Sequence, residues 1–122
     1  MSDAQSILAR MKDEDIEYLD VRFTDPRGKL QHVTLHKDII DEDFFEEGFM
    51  FDGSSIAGWK SIDKSDMKLM PDLTSAYVDP FYAEKTICIH CTVLEPDTNE
   101  RYDRDPRGTA ENAENYLRSS GI

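Results

Sequence analysis

The sequence predicts an α+β domain in which helices pack on a small mixed sheet. Two segments of alternating apolar residues flank a tight turn near the N-terminus, and a longer alternating segment lies around residue 90. Helical patterns occupy both ends of the chain. Neighbouring strands, a later long strand and flanking helices are together typical of this class. At 122 residues the chain is long enough for one domain with its own core.

The first predicted element is a helix over about residues 3–13. Ser2 and Gln5 have the spacing of a capping box, in which Ser2 is the N-cap and Gln5 reaches back towards it. The apolar residues that follow share one helical face, since they recur at helical spacing: Ile7, Leu8 and Met11.

A β-hairpin is predicted next. Apolar and polar residues alternate in its first strand: Leu19, Asp20, Val21, Arg22 and Phe23. Such alternation is typical of a strand that is buried on one face. The turn contains Pro26, which presets φ, and Gly28, which supplies a positive φ. The second strand covers residues 30–35, with Val33 and Leu35 facing inward.

The middle of the chain predicts a short acidic helix from Asp41 to Glu47 that ends at Gly48. A short apolar run, residues 49–51, then opens into a loop rich in glycine and serine, residues 52–59. Three further strands follow, and proline residues end the first two of them. They are predicted over residues 67–70, 76–78 and 85–94.

The last predicted element is a helix with Asp105 as its N-cap, Pro106 at its first position and Gly121 after its end. Glu114 and Arg118 form an (i, i+4) pair on it. Its apolar residues share a face: Ala110, Ala113, Tyr116 and Leu117. Taken in order, the elements favour a β-grasp-like mixed sheet with packed helices.

Composition limits the classes of partner. The net charge is −12, from 26 acidic and 14 basic residues, which argues against nucleic acid and acidic lipid surfaces as partners. The sequence shows neither a membrane-spanning segment nor a secretory signal, and two cysteines make no disulfide framework. We therefore expect a cytoplasmic protein. Only 39% of residues are apolar, which predicts a thin core or an apolar face covered by something else.

The candidate metal ligands do not have the spacing of a site. Cys88 and Cys91 lie an odd number of residues apart on a predicted strand, so their side chains face opposite ways. His32 and His36 would stand about 13 Å apart on an extended strand, which is too far for one ion. Phosphate-binding glycine motifs, the nucleophile elbow and the zinc-protease motif are all missing from the sequence. We therefore expect no metal site in this chain and no chemistry by this chain alone.

The loop after the apolar run is the candidate functional segment. Asp52 in such a loop can simply cap its own backbone as an Asx-turn. Alternatively, its carboxylate and the Ser55 hydroxyl, flanked by Phe51 and Trp59, form a small cation pocket in which the aromatic rings exclude water. A third possibility is that Trp59 anchors a partner surface.

An ordered series of segments extends over the whole chain: Asp20 to Asp25 with Gly28-Lys29, Glu47 to Ile56, Gly58-Trp59, Ile62, Ser65 to Met67, Leu69 to Asp72, Val78 to Phe81 and Tyr102 to Arg107. Together these segments resemble the N-terminal domain of bacterial type I glutamine synthetase. The resemblance implies a β-grasp-like domain over residues 1–105. Residues 106–122 would be a helix that leads towards a C-terminal catalytic domain.

The resemblance also implies an activity for the full-length enzyme, which makes glutamine from glutamate, ammonium and ATP through γ-glutamyl phosphate. ATP and Mg²⁺ or Mn²⁺ would bind to the C-terminal domain, so the present chain alone is expected to be inactive. The partners implied are that domain and adjacent subunits of a homo-oligomeric double ring. The loop of one subunit would enter its neighbour's active site.

Four residues carry over from the family's motif to this sequence. Asp52 matches the aspartate that binds ammonium and helps to remove its proton, and Ser55 matches a serine that lines the same pocket. Asp66 and Trp59 match residues near that site. Two alternatives remain open at this stage: a free-standing β-grasp interaction module, and a related ligase that uses another amine in place of ammonium.

Overall fold

A computed structural model describes residues 3–53 and 66–121 of the chain. Within these residues, three α-helices accompany a six-stranded sheet. The helices are α1 (Ala4–Asp13), α2 (Glu42–Glu47) and α3 (Pro106–Ser119). The strands are β1 (Tyr18–Thr24), β2 (Leu30–His36), β3 (Phe49–Asp52), β4 (Asp66–Pro71), β5 (Tyr77–Val78) and β6 (Thr86–Leu94).

The sheet is mixed and β6 lies at its centre. Along one edge β6 pairs in parallel with β1, from Tyr18 opposite Thr86 onwards. Along its other edge it pairs antiparallel with β4 and β5. The strand order is β2-β1-β6-β4-β3, so that β2 and β3 are the outer strands of this path. The predicted α+β class, a mixed sheet with helices, is confirmed.

The start of α1 corrects the predicted capping box. Asp3 is the N-cap, and its Oδ1 accepts a hydrogen bond of 2.8 Å from the backbone N–H of Ser6. The predicted cap, Ser2, lies outside the described residues. A carboxylate at this position also carries a full negative charge, which the positive end of the helix dipole favours. The helix therefore begins one residue later than predicted, at Ala4.

The hairpin and the turn residues agree with the sequence. Strands β1 and β2 pair antiparallel, with Leu19 opposite Leu35. Gly28 has a φ of +87° in the turn between them, and its N–H donates to the carbonyl of Asp25 at 2.9 Å. Helix α2 ends at Gly48, whose φ is +86°. Both glycines therefore occupy backbone conformations that other residues rarely adopt.

The sheet has one apolar face and one polar face. Helices α1 and α2 and the apolar face of the sheet supply the core, whose fully buried strand residues are Leu19, Val21, Met67, Leu69, Ile87, Ile89, Cys91 and Val93. The opposite face of β6 carries Cys88, His90 and Thr92, as the alternation predicts. Helix α3 differs from the other helices, because Tyr116 is 70% exposed and Leu117 is 49% exposed.

Candidate functional site

The structure places Asp52 and Asp66 directly opposite each other. Asp52 is the last residue of β3, Asp66 is the first residue of β4, and the two form a Cα pair of the antiparallel register. Both side chains are exposed. The facing positions bring two carboxylates to the same end of the β3–β4 pair. Ser55 and Trp59, the other predicted site residues, lie outside the described residues.

The body of the β3–β4 pair is anchored in the core, although its end is exposed. On β4, Met67 and Leu69 are fully buried. On β3, the ring of Phe51 lies 5.1 Å from the ring of Phe23 between centroids. The ring of Phe49 lies 6.1 Å from that of Phe44. Packing therefore holds both strands in place up to the residues that carry the two carboxylates.

Sequence alternation assigned residues 49–51 only to an apolar run, but they belong to strand β3. The strand is too short for alternation to identify it, since it contains four residues of which Asp52 is the last. Pairing with β4 creates it: Phe49 lies opposite Leu69 and Met50 lies opposite Lys68. A strand that exists because of a partner far along the chain leaves little local signal.

A second polar cluster, on the polar face of the sheet, centres on Asp20. The side chain of Asp20 is fully buried. Its Oδ1 accepts hydrogen bonds of 2.8 Å from Thr34 and makes a contact of 2.8 Å with Nδ1 of His32. Its Oδ2 accepts from Nε of Arg22 at 2.8 Å and from the Tyr82 hydroxyl at 3.3 Å. Four neighbours thus satisfy one buried carboxylate.

Arg22 extends this cluster towards β5. Its Nη2 donates to Oδ2 of Asp79 at 2.8 Å, and its Nη1 donates to the Tyr77 hydroxyl at 2.8 Å. The guanidinium therefore bridges two carboxylates, those of Asp20 and Asp79. Strand alternation predicted that Arg22 and Asp20 point to the same face of the sheet. It did not predict that other residues cover this face. The residues that cover this face lie much later in the sequence, and Tyr77 is one of them.

The pKa of Asp20 is lowered although the group is buried. Burial alone would raise it, because it disfavours the charged carboxylate. Hydrogen bonds from Arg22, His32 and Thr34 outweigh burial, and they hold the pKa below the ordinary value. The carboxylate is therefore ionised at neutral pH and counts as a structural anion.

The two cysteines lie on opposite faces of β6, as predicted. Cys91 belongs to the core, whereas the thiol of Cys88 lies 3.7 Å from Oδ2 of Asp79 on the polar face. Burial raises the pKa of Cys88 to about 11 and that of Cys91 to about 12. Both thiols are therefore protonated at neutral pH, and neither has the thiolate character of a metal ligand or a nucleophile.

The described ranges, residues 3–53 and 66–121, contain no group of three or more His, Cys, Asp and Glu side chains placed to hold a metal ion. The two histidines of β2 have different partners. His32 contacts Asp20, whereas His36 lies 3.4 Å from a carboxylate oxygen of Asp38. Within the same ranges, every helix is too short or too polar to cross a bilayer.

Asp105 joins α3 to the sheet. Its Oδ2 accepts from the backbone N–H of Val93 at 2.9 Å, and its Oδ1 accepts from the N–H of Arg107 at 3.2 Å. Burial raises the pKa of this carboxyl, although those backbone hydrogen bonds oppose the shift. The predicted N-cap is confirmed, and so is Pro106 at the first helical position. Asp105 therefore fixes the start of α3 to the sheet.

Comparison with known sequences points to one family. Residues 15–96 match the family model described as glutamine synthetase, beta-Grasp domain. Over all 122 residues the chain is 72% identical to the glutamine synthetase of Cereibacter sphaeroides and 70% identical to that of Rhodobacter capsulatus, of which it covers 26% and 28%. Over 119 residues, 98% of the chain, it is 53% identical to the glutamine synthetase of Escherichia coli strain K12, of which it covers 25%.

Solved structures agree on the fold. The whole chain superimposes on 24% of the Plasmodium falciparum glutamine synthetase chain with a TM-score of 0.88 at 21% identity. A complex of GmaS with ADP gives a TM-score of 0.84 at 18% identity, over 98% of this chain and 26% of that one. At these identities the similarity shows the fold alone, and it confirms the β-grasp-like sheet.

The chain spans about a quarter of the length of the curated relatives that it matches. The match covers the whole chain for the first two relatives and 98% of it for the third, and it corresponds to their N-terminal part. The family predicted from the loop and hairpin motifs is therefore the one that the comparisons find. The chain belongs to the glutamine synthetase family, and it matches the β-grasp domain of that family.

Proposed function

We propose that this chain is the N-terminal domain of a glutamine synthetase that joins ammonia to glutamate at the expense of ATP. The observation that carries the proposal is the 72% identity over the full 122 residues to a glutamine synthetase. These identities favour this function over a free-standing interaction module and over a ligase for another amine. The relatives are also about four times as long as this chain. Relatives of a self-contained interaction module would not need that additional length.

Within that reaction, Asp52 is proposed to bind ammonium and to accept its proton. Glutamate first takes the γ-phosphoryl group of ATP and becomes γ-glutamyl phosphate, and ADP is released. Ammonium has no lone pair with which to attack, so a carboxylate must first take one of its protons. Ammonia then attacks the γ-carbonyl carbon, and phosphate leaves. The position of Asp52 opposite Asp66 at the exposed end of a well-anchored strand pair supports this role.

Ser55, Asp66 and Trp59 complete the proposed site. In this proposal Ser55 supplies a hydroxyl acceptor for ammonium and Asp66 adds negative charge beside Asp52, whereas Trp59 is assigned to the same site only through its match to the family motif. ATP and Mg²⁺ or Mn²⁺ are assigned to the remainder of the full-length polypeptide. The described residues of this chain do not fit a metal ion.

The proposed setting is a cytoplasmic homo-oligomer, a double ring in which the loop that follows Asp52 enters the active site of an adjacent subunit. In the proposed division, residues 1–105 form the β-grasp domain and residues 106–122 lead to the catalytic domain. The exposure of Tyr116 and Leu117 on α3 supports this division, because a helix with uncovered apolar residues is suited to a further packing partner.

The replacement Asp52→Asn in the full-length enzyme tests the proposed role of the carboxylate. Asparagine keeps the shape of the side chain but cannot accept a proton, so kcat/KM for ammonium should fall by roughly 10²- to 10⁴-fold. Formation of ADP from ATP and glutamate without ammonium should change little. Steady-state kinetics and a rapid-quench assay of γ-phosphoryl transfer measure the two quantities separately.

Asp97→Asn is the matched control, since Asp97 is an exposed carboxylate in the turn after β6. It should leave both partial reactions at the level of the unmodified enzyme. Equal losses of γ-phosphoryl transfer and ammonia use in Asp52→Asn would contradict the assignment of the carboxylate to ammonium.

A further inference from the structure

We propose that Gly48 is a positioning residue for Asp52. Gly48 lies at the base of the β3–β4 pair, where it allows the backbones of the two strands to approach closely. This close approach determines the position of the opposite end of the β3–β4 pair, which carries the Asp52 carboxylate. The inference rests on the proposed function of Asp52 and extends the site to a residue outside the loop.

The surroundings of Gly48 leave no room for a side chain. Its N–H donates to the carbonyl of Phe44 at 3.0 Å, which ends α2, and its φ is +86° with ψ of −179°. A Cβ atom placed on it would lie 2.8 Å from the backbone oxygen of Leu69. It would also lie 3.1 and 3.2 Å from two side-chain carbons of Lys68. Real Cβ atoms essentially never come as close to a backbone oxygen as 2.8 Å.

Of the two strands, β3 gives way to such a clash, because ring packing and one backbone partner hold it, whereas β4 has backbone partners on both edges. The backbone of Leu69 is held from its other side, because β4 also pairs with β6 and places Leu69 opposite Val93. Strand β3 is the outer strand of the sheet path and pairs only with β4 in it. A side chain at position 48 would therefore push β3 away from β4 by several tenths of an ångström.

The displacement would reach Asp52, because the pair is short. Its register runs from Phe49 opposite Leu69 to Asp52 opposite Asp66 without interruption, so only three residue pairs lie between Gly48 and the pair that carries the Asp52 carboxylate. Core packing is dense and transmits such shifts rather than absorbing them. A misplacement of about 1 Å at a reacting group can cost roughly 10²-fold in rate.

Gly28 provides a matched control within the same chain. Its φ is +87°, nearly the same as that of Gly48, so alanine is strained at both positions. A Cβ atom on Gly28 would meet no atom within 4 Å. Gly28 also lies in the turn between β1 and β2, and neither of these strands pairs with β3 or β4. Comparing Gly48→Ala with Gly28→Ala therefore separates the close approach from the positive φ.

The experiment compares these two variants in the full-length enzyme. We expect Gly48→Ala to lower kcat/KM for ammonium by roughly 10- to 100-fold relative to Gly28→Ala. The rate of ADP formation from ATP and glutamate without ammonium should be the same in both variants. A loss confined to ammonia use is the signature of a displaced carboxylate, because general destabilisation would lower both partial reactions together. Equal ammonium kinetics in the two variants would overturn the proposal.

Asp52→Asn separates failure of this inference from failure of the proposed function. If Asp52→Asn spares ammonia use, the proposed function fails, and this inference fails with it. If Asp52→Asn impairs ammonia use while Gly48→Ala behaves like Gly28→Ala, only the positioning role fails. If Gly48→Ala does not accumulate as folded enzyme, Phe49→Leu replaces it, since this change loosens β3 from the ring of Phe44. A selective loss of ammonia use in Phe49→Leu supports positioning through β3, and an unselective loss or none overturns it.

Discussion

Among single residues, Asp20 determines how the polar face of the sheet is built. Its buried carboxylate collects hydrogen bonds from β2 and β1, and Arg22 links it to Asp79 near β5. Strand alternation predicts that Asp20 and Arg22 share a face. It cannot predict that Tyr82 reaches over that face, because this contact joins residues 62 positions apart.

We predict that Asp20→Asn lowers the free energy of unfolding of the folded chain by about 3 kcal/mol at pH 7. The change removes one partner of a buried charge pair and turns an amide N–H₂ towards the guanidinium of Arg22. Urea unfolding measures the loss. Asp97→Asn, at an exposed carboxylate, should stay within about 0.5 kcal/mol of the unmodified protein.

The pH dependence of that loss follows from the lowered pKa of Asp20. A lowered carboxyl pKa contributes stability that is present above the unfolded-state pKa of about 3.9. That stability is lost as the pH falls below this value towards the folded-state pKa. The difference in stability between the unmodified protein and Asp20→Asn should therefore narrow below about pH 4. A constant difference from pH 7 down to pH 3 would show that the carboxylate charge is not the stabilising feature.

At the scale of elements, the sequence predicts helices and long strands well and short strands poorly. The end of α2 at Gly48 and the cap of α3 at Asp105 are as predicted, because local backbone chemistry decides them. The predicted start of α1 was wrong by one residue, because Ser2 and Asp3 are both suitable N-caps. Strand β3 was missed, since its four residues owe their conformation to β4. The apolar face of α3 was predicted correctly, but in this domain it remains exposed.

We predict that Leu117→Ser destabilises the full-length protein by about 2 kcal/mol. Leu117 is 49% exposed here, and the proposed division of the chain places it against the remainder of the polypeptide, where it would be buried. Leu30→Ser is the matched control, because Leu30 is 46% exposed and lies on the outer strand β2. It should cost less than about 1 kcal/mol. Equal destabilisation by the two changes in thermal unfolding would argue against a packing partner for α3.

At the scale of the whole molecule, the sheet brings the candidate carboxylates together although they are 14 residues apart in the chain. The parallel pairing of β1 with β6 places the hairpin beside the long strand, and β4 extends the sheet to β3. Strand alternation alone does not predict this order, because it specifies faces and not neighbours. Family motifs predicted the fold, which is confirmed, and the site residues, which stay a prediction. The structure further shows that Asp52 and Asp66 lie opposite each other and that the backbones of β3 and β4 approach closely at Gly48.

Asp52 is proposed to act in a site that another copy of the full-length chain completes. Subunit complementation tests it most directly: enzyme carrying Asp52→Asn is dissociated and reassembled with enzyme inactivated in its nucleotide-binding part. Mixed oligomers should regain glutamine formation, because the intact loop of one subunit can lie beside the intact nucleotide site of its neighbour. Mixed oligomers that are verified by native mass spectrometry and still lack activity would contradict it.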